Sequence, residues 1–364
     1  MSDIKQQPDI STFQQADTMQ AVVKTSRGLG HVTVKEMPRP EAGPGEILVR
    51  VRAAGICGSD LHIYDDAIKS PIRTPVIMGH EFSGEVVEVS DDVDDFAPGD
   101  RVCVETTSTC CDECVYCKDG RYNLCSTRHN HGYWDNGCFA EYMKASTLRA
   151  YHLPPHISYE EGALCEPLAC AVHAVTELTP IREGELVAIL GPGPIGLLTQ
   201  LVVQAEGGDV IMISTPRSAP RLKMAEKLGA AFTFEIGKDN VVEAVNDITQ
   251  GLGVDTVFEC AGSQQAVDLG FDLVKRGGRF MLEGLFGRPI DMDFDKVVFK
   301  EIIVSGALGH KRSTWETAIQ YLADRRVNVA DLVTQRLPLA QWKKGFDLTR
   351  GIEGRENIKV MFTP

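Results

Sequence analysis

The sequence predicts an α/β protein in which a barrel-like β-rich domain is joined to a doubly wound parallel sheet. From about residue 19 to residue 151, short alternating apolar segments are separated by turns rich in glycine and proline. From about residue 185, apolar segments of four to six residues alternate with patterns of helical period, which is typical of a parallel sheet covered by helices. The length of 364 residues fits two domains, at roughly 100–200 residues per domain.

These patterns predict the individual elements in chain order. In the β-rich part, alternation predicts strands at 47–51 and 84–89, bounded by turns at 43–45 and 98–100. In the second part, apolar runs and helical spacing predict strands at 186–190, 210–213, 254–258 and 279–282, and helices at 197–205 and 221–228. Near the end of the chain, a helix is predicted at 314–322, followed by short strands.

Charge and polarity exclude two classes of partner. The chain has 37 basic and 51 acidic residues, a net charge of −14, whereas nucleic-acid-binding proteins show a basic surplus or stripe. Residues 1–18 are polar and lack the basic start and apolar run of a signal peptide, so we expect a flexible tail and a cytoplasmic protein. The uncharged segment 186–205 is broken at 191–194, and each half is too short to span a membrane.

The cysteines indicate a structural metal site. Eleven cysteines without a secretion signal favour metal ligation over disulfides. Cys111, Cys114, Cys117 and Cys125 follow the spacing C-x2-C-x2-C-x7-C, which lets four thiolates converge on one zinc ion and leaves no open coordination position. Cys110 breaks this register and is interpreted as a bystander. Reduced, unligated cysteines and a zinc-ribbon interaction module are the alternatives.

A second set of ligand-type residues indicates an open metal site. Cys57 lies two residues before Ser59 and five before His62, and His80 and Glu81 follow an apolar run. Glu166 is a carboxylate in an apolar stretch, where it needs a partner such as a metal ion. Three protein ligands with an exchangeable position are typical of catalytic zinc. Each residue alone is more often structural, and only the set as a whole indicates this site.

A glycine motif predicts a dinucleotide site. Residues 191–196 read Gly-Pro-Gly-Pro-Ile-Gly, match G-x-G-x-x-G, and lie between a predicted strand and a predicted helix. Gly191 allows the tight turn, Gly193 lets the backbone approach a pyrophosphate, and Gly196 permits close helix packing, with Ile195 inside the motif. A glycine-rich turn without a ligand is the alternative.

The segment after the second strand favours NADP over NAD. An acidic residue that binds the ribose 2′-hydroxyl is expected about 20 residues after the motif. The sequence has Ser214, Arg217 and, nearby, Arg221 instead, and hydroxyl and guanidinium groups suit a 2′-phosphate. The alternative is that Arg217 points into solvent and NAD binds.

Together these motifs resemble the zinc-dependent medium-chain alcohol dehydrogenases. The resemblance extends from about residue 19 to the end. It rests on the segments 55–62, 79–82 and 165–167, on the four-cysteine set and on the glycine motif. Glu166 before a proline is similar to the sorbitol (polyol), butanediol and threonine dehydrogenase branch, because liver-type alcohol dehydrogenases have a cysteine there. The segment 306–311 differs from the Arg-Tyr pair of sorbitol dehydrogenases, so the resemblance does not assign sorbitol.

The resemblance implies a division of the chain and roles for its residues. A GroES-like catalytic domain would comprise 19–175 and 311–364, and a Rossmann cofactor-binding domain 176–310, with catalysis in the cleft between them. Cys57 and His80 would bind the catalytic zinc directly, and Glu81 and Glu166 would share the remaining coordination. Ser59 would take the substrate proton and His62 would pass it to solvent, with Gly284 and Leu285 beside the nicotinamide.

The predicted function is a zinc-dependent oxidoreductase that transfers a hydride between a secondary alcohol (polyol, sugar or diol) and NAD(P). Zinc would stabilise the substrate alkoxide, and each chain would hold two zinc ions, one catalytic and one structural. A threonine 3-dehydrogenase-like enzyme is the alternative, with Lys311 or His310 binding the carboxylate. A non-enzymatic zinc-stapled binding protein is the third hypothesis. The family further suggests a homodimer or homotetramer.

Overall fold

The computed structural model describes residues 17–352 and 354–364. The predicted flexible tail lies outside these residues as far as residue 16, and Thr18 already belongs to the first strand. Between residues 17 and 152 the chain forms ten strands and two short helices. They are β1 (Thr18–Lys24), β2 (Val32–Pro38), β3 (Glu46–Gly55), α1 (Gly58–Tyr64), β4 (Val76–Ile77), β5 (Glu81–Val89), β6 (Arg101–Val104), β7 (Thr107–Thr109), α2 (Val115–Lys118), β8 (His129–Asn130), β9 (Tyr142–Ser146) and β10 (Ala150–His152).

The middle of the chain alternates strands and helices. Two helices lead into it, α3 (Tyr159–Ala163) and α4 (Cys165–Val172), and α4 continues as a π-helical turn over His173–Leu178. The alternating elements are β11 (Leu186–Leu190), α5 (Pro194–Ala205), β12 (Asp209–Ser214), α6 (Leu222–Lys227), β13 (Phe232–Glu235), α7 (Val241–Thr249), β14 (Val254–Glu259), α8 (Gln264–Leu273), β15 (Val274–Leu282), α9 (Phe294–Lys300) and β16 (Ile303–Gly306). The chain continues with α10 (Arg312–Ala323), β17 (Val333–Leu337), α11 (Trp342–Arg350) and β18 (Lys359–Phe362).

The six strands β11 to β16 form one parallel sheet in the order β13-β12-β11-β14-β15-β16. This order reverses between β11 and β14, and ligands of doubly wound sheets bind at the carboxyl ends of the strands at such a switch point. The predicted α/β class with a doubly wound parallel sheet is confirmed. β15 is longer than predicted because it begins at Val274, which pairs with Val254 before the register shifts and pairing resumes at Arg279.

The β-rich part closes around a seven-stranded sheet in the order β10-β6-β5-β3-β18-β17, with β9 also paired to β3. β18 comes from the end of the chain and pairs antiparallel with β3, where Met361 lies opposite Gly55. The last part of the chain therefore returns to the first sheet, as the resemblance implied. β1 pairs with β2 and β4 in a separate three-stranded sheet.

A continuous apolar core joins the two sheets through α4, which packs against both α5 and α10. Leu168, Ala171 and Val172 of α4 are fully buried in this core, together with Val187 of the parallel sheet and Met361 of β18. Since α4 also carries Glu166, a side chain of the predicted metal site is anchored where the two halves meet. No helix among the described residues is long and apolar enough to cross a membrane.

Candidate active site and cofactor cleft

The turn from β3 into α1 positions the first candidate ligand. β3 ends at Gly55 and α1 begins at Gly58, so Cys57 stands at the N-terminus of the helix. Asp60 Oδ2 accepts the backbone N–H of Cys57 over 2.9 Å, which fixes the turn. A Cβ on Gly55 would lie 2.2 Å from Oε2 of Glu81, so the glycine is what lets Glu81 approach.

The structure brings three of the predicted zinc ligands together. The ligand atoms of Cys57, His80 and Glu81 all lie within 4.8 Å of one another. His80 and Glu81 are 3% and 1% exposed and follow β4 across a turn at Gly79, whose φ is +86°. A thiolate, an imidazole and a carboxylate are donors that zinc accepts, and three protein donors are the number typical of a catalytic site. These residues therefore fit the metal that the family implies.

His80 lies in an anionic field. Its Nδ1 and Oδ1 of Asp60 are buried without hydrogen-bond partners and face each other at 3.8 Å. Burial alone lowers the pKa of His80, but the charges of Asp60 and Cys57 outweigh it and raise the pKa to about 10. Burial raises the pKa of Asp60 to about 6. A site that attracts a proton this strongly also attracts a metal cation, and with Nδ1 facing Asp60 the free donor is Nε2.

A buried lysine pairs with one of the candidate ligands. Nζ of Lys359 lies 2.8 and 2.6 Å from the two carboxylate oxygens of Glu81, and Lys359 is only 2% exposed. Burial alone lowers the pKa of Lys359, but the charge of Glu81 outweighs it and raises the pKa. The sequence prediction did not include Lys359. The sequence feature that could have indicated a buried ion pair is the position of this lysine between Ile358 and Val360 in an apolar segment.

Glu166 lies outside the group of three and has its own partners. Its Oε1 accepts Oγ1–H of Thr106 over 2.6 Å and lies 3.2 Å from Nε2 of His310, and its ligand atom lies within 4.8 Å of those of His310 and Cys170. Burial alone raises the pKa of Glu166, but its hydrogen bonds with His310 and Thr106 and the charges of the nearby histidines together outweigh burial and lower the pKa to about 2. Glu166 is therefore an anion beside the site.

The two cations suggested for a substrate carboxylate have other partners. His310 Nδ1 accepts the indole N–H of Trp315 over 2.7 Å, so both ring nitrogens of His310 are used. Nζ of Lys311 lies 3.3 Å from the carboxylate of Glu177. Both side chains are therefore already engaged with carboxylates of the chain itself.

The predicted proton-relay residues both lie on α1. Ser59 Oγ is 3.4 Å from Nε2 of His80 and therefore lies at the metal site. His62 follows three residues later, which places it on the same face of the helix. The His62 side chain makes no hydrogen bond to another described residue.

The four-cysteine set has the geometry of a tetrahedral sulfur site. The sulfurs of Cys111, Cys114, Cys117 and Cys125 all lie within 4.8 Å of one another. Three sulfur pairs are separated by 3.6, 3.6 and 3.9 Å, and Zn–S bonds of about 2.3 Å place tetrahedral sulfurs about 3.8 Å apart. Cys110 lies 3.2 Å from a guanidinium nitrogen of Arg149, and its sulfur also lies within 4.8 Å of the Cys117 sulfur and of a carboxylate oxygen of Asp112.

The glycine motif forms the open end of a cleft above the parallel sheet. Gly191 has φ +112°, and a Cβ on Gly196 would lie 2.0 Å from the Gly191 carbonyl oxygen. Around Gly193, by contrast, a Cβ would meet nothing closer than Arg221 Nη1 at 4.0 Å. Gly191 and Gly193 line a cavity of about 290 Å³ that also includes Arg217, Arg221 and Arg355. This free space fits the dinucleotide that the family implies.

Three arginines converge on this cavity without a carboxylate among its lining residues. Burial and the charge of Arg355 lower the pKa of Arg221 to about 10, and burial and the charge of Arg217 lower the pKa of Arg355. The sequence prediction omitted Arg355, which lies far from the motif in the chain. The other predicted cofactor residues, Ile195, Gly196, Ser214, Gly284 and Leu285, do not line this cavity.

Comparisons with known proteins agree with this geometry. The family model described as Alcohol dehydrogenase GroES-like domain matches residues 43–155, and the one described as Zinc-binding dehydrogenase matches residues 194–324. The sorbitol dehydrogenase of Halalkalibacterium halodurans is 40% identical over 347 residues, which cover 95% of this chain and 99% of that protein. The D-arabitol-phosphate dehydrogenase of Enterococcus avium is 39% identical over 345 residues, 94% and 97% of the two chains.

Two further comparisons bear on substrate and cofactor. The L-threonine 3-dehydrogenase of Bacillus subtilis is 36% identical over 340 residues, 92% of this chain and 96% of that protein. A zinc-binding dehydrogenase of Sinorhizobium meliloti, solved with NADP, superposes with a TM-score of 0.87 at 33% identity, covering 96% of this chain and 100% of that one.

The fold and the site define a zinc-binding, nicotinamide-dependent oxidoreductase. The chain belongs to the zinc-dependent medium-chain alcohol dehydrogenases. The predicted family and the predicted enzymatic activity, dehydrogenation of an alcohol, are confirmed, and the hypothesis of a non-enzymatic binding protein was wrong.

Proposed function

We propose that this enzyme oxidises a secondary hydroxyl of a polyol with NADP, or reduces the corresponding ketone, in the cleft between the two sheets. The observation that carries this proposal is the convergence of Cys57, His80 and Glu81 within 4.8 Å, beside Glu166 of α4. Its support from relatives is the similarity to a sorbitol dehydrogenase and a D-arabitol-phosphate dehydrogenase.

Each residue of the site has a chemical task in this proposal. Cys57, His80 and Glu81 would hold zinc, and Glu166 stays anionic next to it. When bound, zinc polarises the substrate oxygen and the nicotinamide accepts the hydride. Ser59 Oγ accepts the proton of the substrate hydroxyl, and His62, one helical turn later, exchanges it with solvent. The charge of Asp60, 3.8 Å from Nδ1, favours the ring orientation in which Nε2 of His80 faces the metal.

The NADP preference rests on the arginines in the cofactor cavity. Arg217, Arg221 and Arg355 repel one another, and a 2′-phosphate would offset that repulsion, whereas the neutral ribose hydroxyl of NAD would not. Arg217→Ala should therefore weaken NADPH binding by about tenfold or more and leave NADH binding almost unchanged. Equal losses for both nucleotides would contradict the preference.

The proposal includes a second zinc ion in the four-cysteine set, for which the sulfur separations are suitable. All eleven cysteines are free thiols. Thiolate ligands need a reducing compartment, which supports a cytoplasmic location.

An apolar patch supports a homodimer. β16 is the edge strand of the parallel sheet, and the exposed side chains of Ile303 on β16 and Phe294, Val298 and Phe299 on α9 lie there. Ile303→Lys should convert the dimer to monomers in size-exclusion chromatography with light scattering. Leu252→Lys, at a 74% exposed site, is the matched control. A wild-type monomer would contradict this assembly, and a tetramer would show a second interface.

The central experiment combines a substrate screen with one variant. Polyols, diols, sugars and L-threonine are each tested with NAD and with NADP, and zinc is measured in the same preparations. Cys57→Ser should abolish turnover, lower the zinc content from two ions to one and leave the circular dichroism spectrum unchanged. Retained turnover in Cys57→Ser, or no alcohol oxidised by the wild type, would refute the proposed function.

A further inference from the structure

A second cavity, lined in part by Tyr133, adjoins the metal site. Its volume is about 230 Å³. Tyr133 connects it to the catalytic centre, because the Tyr133 ring lies 5.4 Å from the ring of His80. Its lining includes Asn123, Ser126, Arg128, Asn130, Tyr133 and Leu308.

The positive charge in this cavity has no carboxylate partner among the lining residues. The guanidinium of Arg128 is half-buried and makes no hydrogen bond or ion pair with any residue that the structure describes. Burial lowers the pKa of Arg128, and no aspartate or glutamate lines the cavity. Other buried cations have acceptors within the chain: Lys359 pairs with Glu81, Arg149 pairs with Glu105, and Lys24 donates to backbone carbonyls. A half-buried guanidinium without an acceptor in the protein is available to an anion from outside the chain.

The position of Arg128 is next to the reacting end of the cleft. A Cβ on Gly309 would lie 3.6 Å from a guanidinium nitrogen of Arg128, and Gly309 precedes His310, the partner of Glu166. A substrate whose hydroxyl reaches the metal ligands could therefore extend past Tyr133 to Arg128.

We infer that Arg128 binds the phosphate of a polyol phosphate substrate, a subsite that rests on the proposed polyol dehydrogenase function. Arginine matches phosphate through parallel N–H donors. Along the cavity, Asn123 is 3% exposed and donates its amide to the Leu308 carbonyl, while its Oδ1 has no partner and can accept from a substrate hydroxyl. Ser126 and Asn130 supply further polar groups for a chain of hydroxyls.

The same cavity is unsuitable for an amino-acid alcohol. L-Threonine also carries an anion, but its ammonium group requires an acceptor of negative charge close to the carboxylate. The lining of the cavity contains no such carboxylate. Arg128 can bind either a phosphate or a carboxylate, because both are anions with oxygen acceptors. The ammonium group of L-threonine is therefore the feature that distinguishes it from a polyol phosphate.

The test compares phosphorylated and neutral polyols on the zinc-loaded full chain. The pairs are D-arabitol 1-phosphate or 5-phosphate with D-arabitol, and sorbitol 6-phosphate with sorbitol. For the wild type, kcat/KM should be at least about tenfold higher for one of the phosphate esters than for its neutral polyol. Arg128→Ala should reduce this ratio by about 10- to 100-fold, the size expected for hydrogen bonds to a charged group. Arg182→Ala, at an exposed site outside the cavity, is the matched control.

A binding measurement supplies a readout that does not depend on turnover. Isothermal titration calorimetry without nicotinamide should show binding of the preferred phosphate ester to the wild type and to Arg182→Ala, but not to Arg128→Ala. If kcat/KM is equal for neutral polyols and their phosphates, or if the ratio is unchanged in Arg128→Ala, the subsite is refuted. The proposed polyol dehydrogenase function is not affected by that outcome. If L-threonine is the best substrate, the subsite is also wrong. If no alcohol is oxidised, the proposed function itself fails.

Discussion

Trp315 donates its indole N–H to Nδ1 of His310 over 2.7 Å, and this contact determines which nitrogen of His310 carries a proton. An indole nitrogen is only a donor, so Nδ1 must be the unprotonated acceptor. Nε2–H then donates to Oε1 of Glu166 at 3.2 Å. A neutral His310 in this arrangement holds Glu166 in place without cancelling its charge.

Trp315→Phe should lower kcat by about fivefold, the equivalent of one hydrogen bond of ~1 kcal/mol, because His310 can then adopt the other tautomer. The loss of indole volume at this fully buried position should also lower the melting temperature. Steady-state kinetics and thermal unfolding measure the two effects. The control is Tyr321→Phe, which lies on the same helix as Trp315. It removes the hydrogen bond from Tyr321 to Glu206 and should leave kcat unchanged. An unchanged kcat in Trp315→Phe would show that the tautomer has no catalytic consequence.

Cys114→Ser should reduce the zinc content from two ions to one and lower the melting temperature, because three thiolates hold structural zinc less tightly than four. Cys110→Ser is the matched control and should retain both ions, since Cys110 contacts Arg149. Atomic absorption and thermal unfolding measure the two variants. Two zinc ions in Cys114→Ser would refute the structural-zinc assignment.

Lys359→Met should destabilise the zinc-free protein by about 3 kcal/mol, because it leaves the buried carboxylate of Glu81 without a counter-charge. The loss should be smaller in the zinc-loaded protein, where the metal offsets the same charge. The double variant Lys359→Met/Glu81→Gln should regain much of the stability of the zinc-free form. Urea unfolding with and without chelator distinguishes these outcomes. Equal losses of unfolding free energy in the two forms would show that Glu81 does not bind the metal.

Arg355→Ala should weaken NADPH binding by about tenfold and NADH binding by much less, because Arg355 lines the same cavity as Arg217 and Arg221. Nucleotide fluorescence titration of the two reduced cofactors measures both constants. Lys223→Ala, on an exposed site of α6 that does not line the cavity, should leave both constants unchanged. An equal effect on NADH would place Arg355 at the pyrophosphate rather than at the 2′-phosphate.

Glu283→Gln should change the pH dependence of stability. Burial raises the pKa of Glu283 from its usual value near 4.5 to about 8. Between these values the unfolded chain releases the proton while the folded protein keeps it, so the free energy of unfolding falls as pH rises. The melting temperature of wild-type apoprotein should therefore fall more steeply from pH 5 to pH 8 than that of Glu283→Gln. Glu301→Gln, at an exposed site, should follow the wild type, whereas parallel curves for all three would contradict the raised pKa.

Elements with continuous apolar sequence were predictable from the sequence alone. The prediction of 186–190 coincides with β11, and those of 210–213 and 254–258 differ from β12 and β14 by at most one residue at each end. The outer strands β13 and β16 have only four residues each and are largely half-exposed, and the sequence prediction did not include them. Edge strands of a parallel sheet lack the burial on both faces that makes inner strands recognisable.

For the site, sequence reasoning found the groups that local spacing reveals and missed the groups that tertiary contacts supply. Cys57, His80 and Glu81 stand in short motifs, and the structure brings them together. His310 reaches Glu166 across 144 positions and Lys359 reaches Glu81 across 278. No periodicity encodes such pairings, because they depend on how two sheets and α4 pack.

Lys359 and Glu81 are synthesised at different times, so their ion pair forms late. The two residues are 278 positions apart, so at ~10 residues per second the nascent chain exposes Glu81 for roughly half a minute before its lysine is made. During that interval the intervening parallel sheet can already fold. The ion pair beside the metal site is therefore completed only near the end of synthesis. A metal ion that binds Glu81 earlier does so before Lys359 has been made.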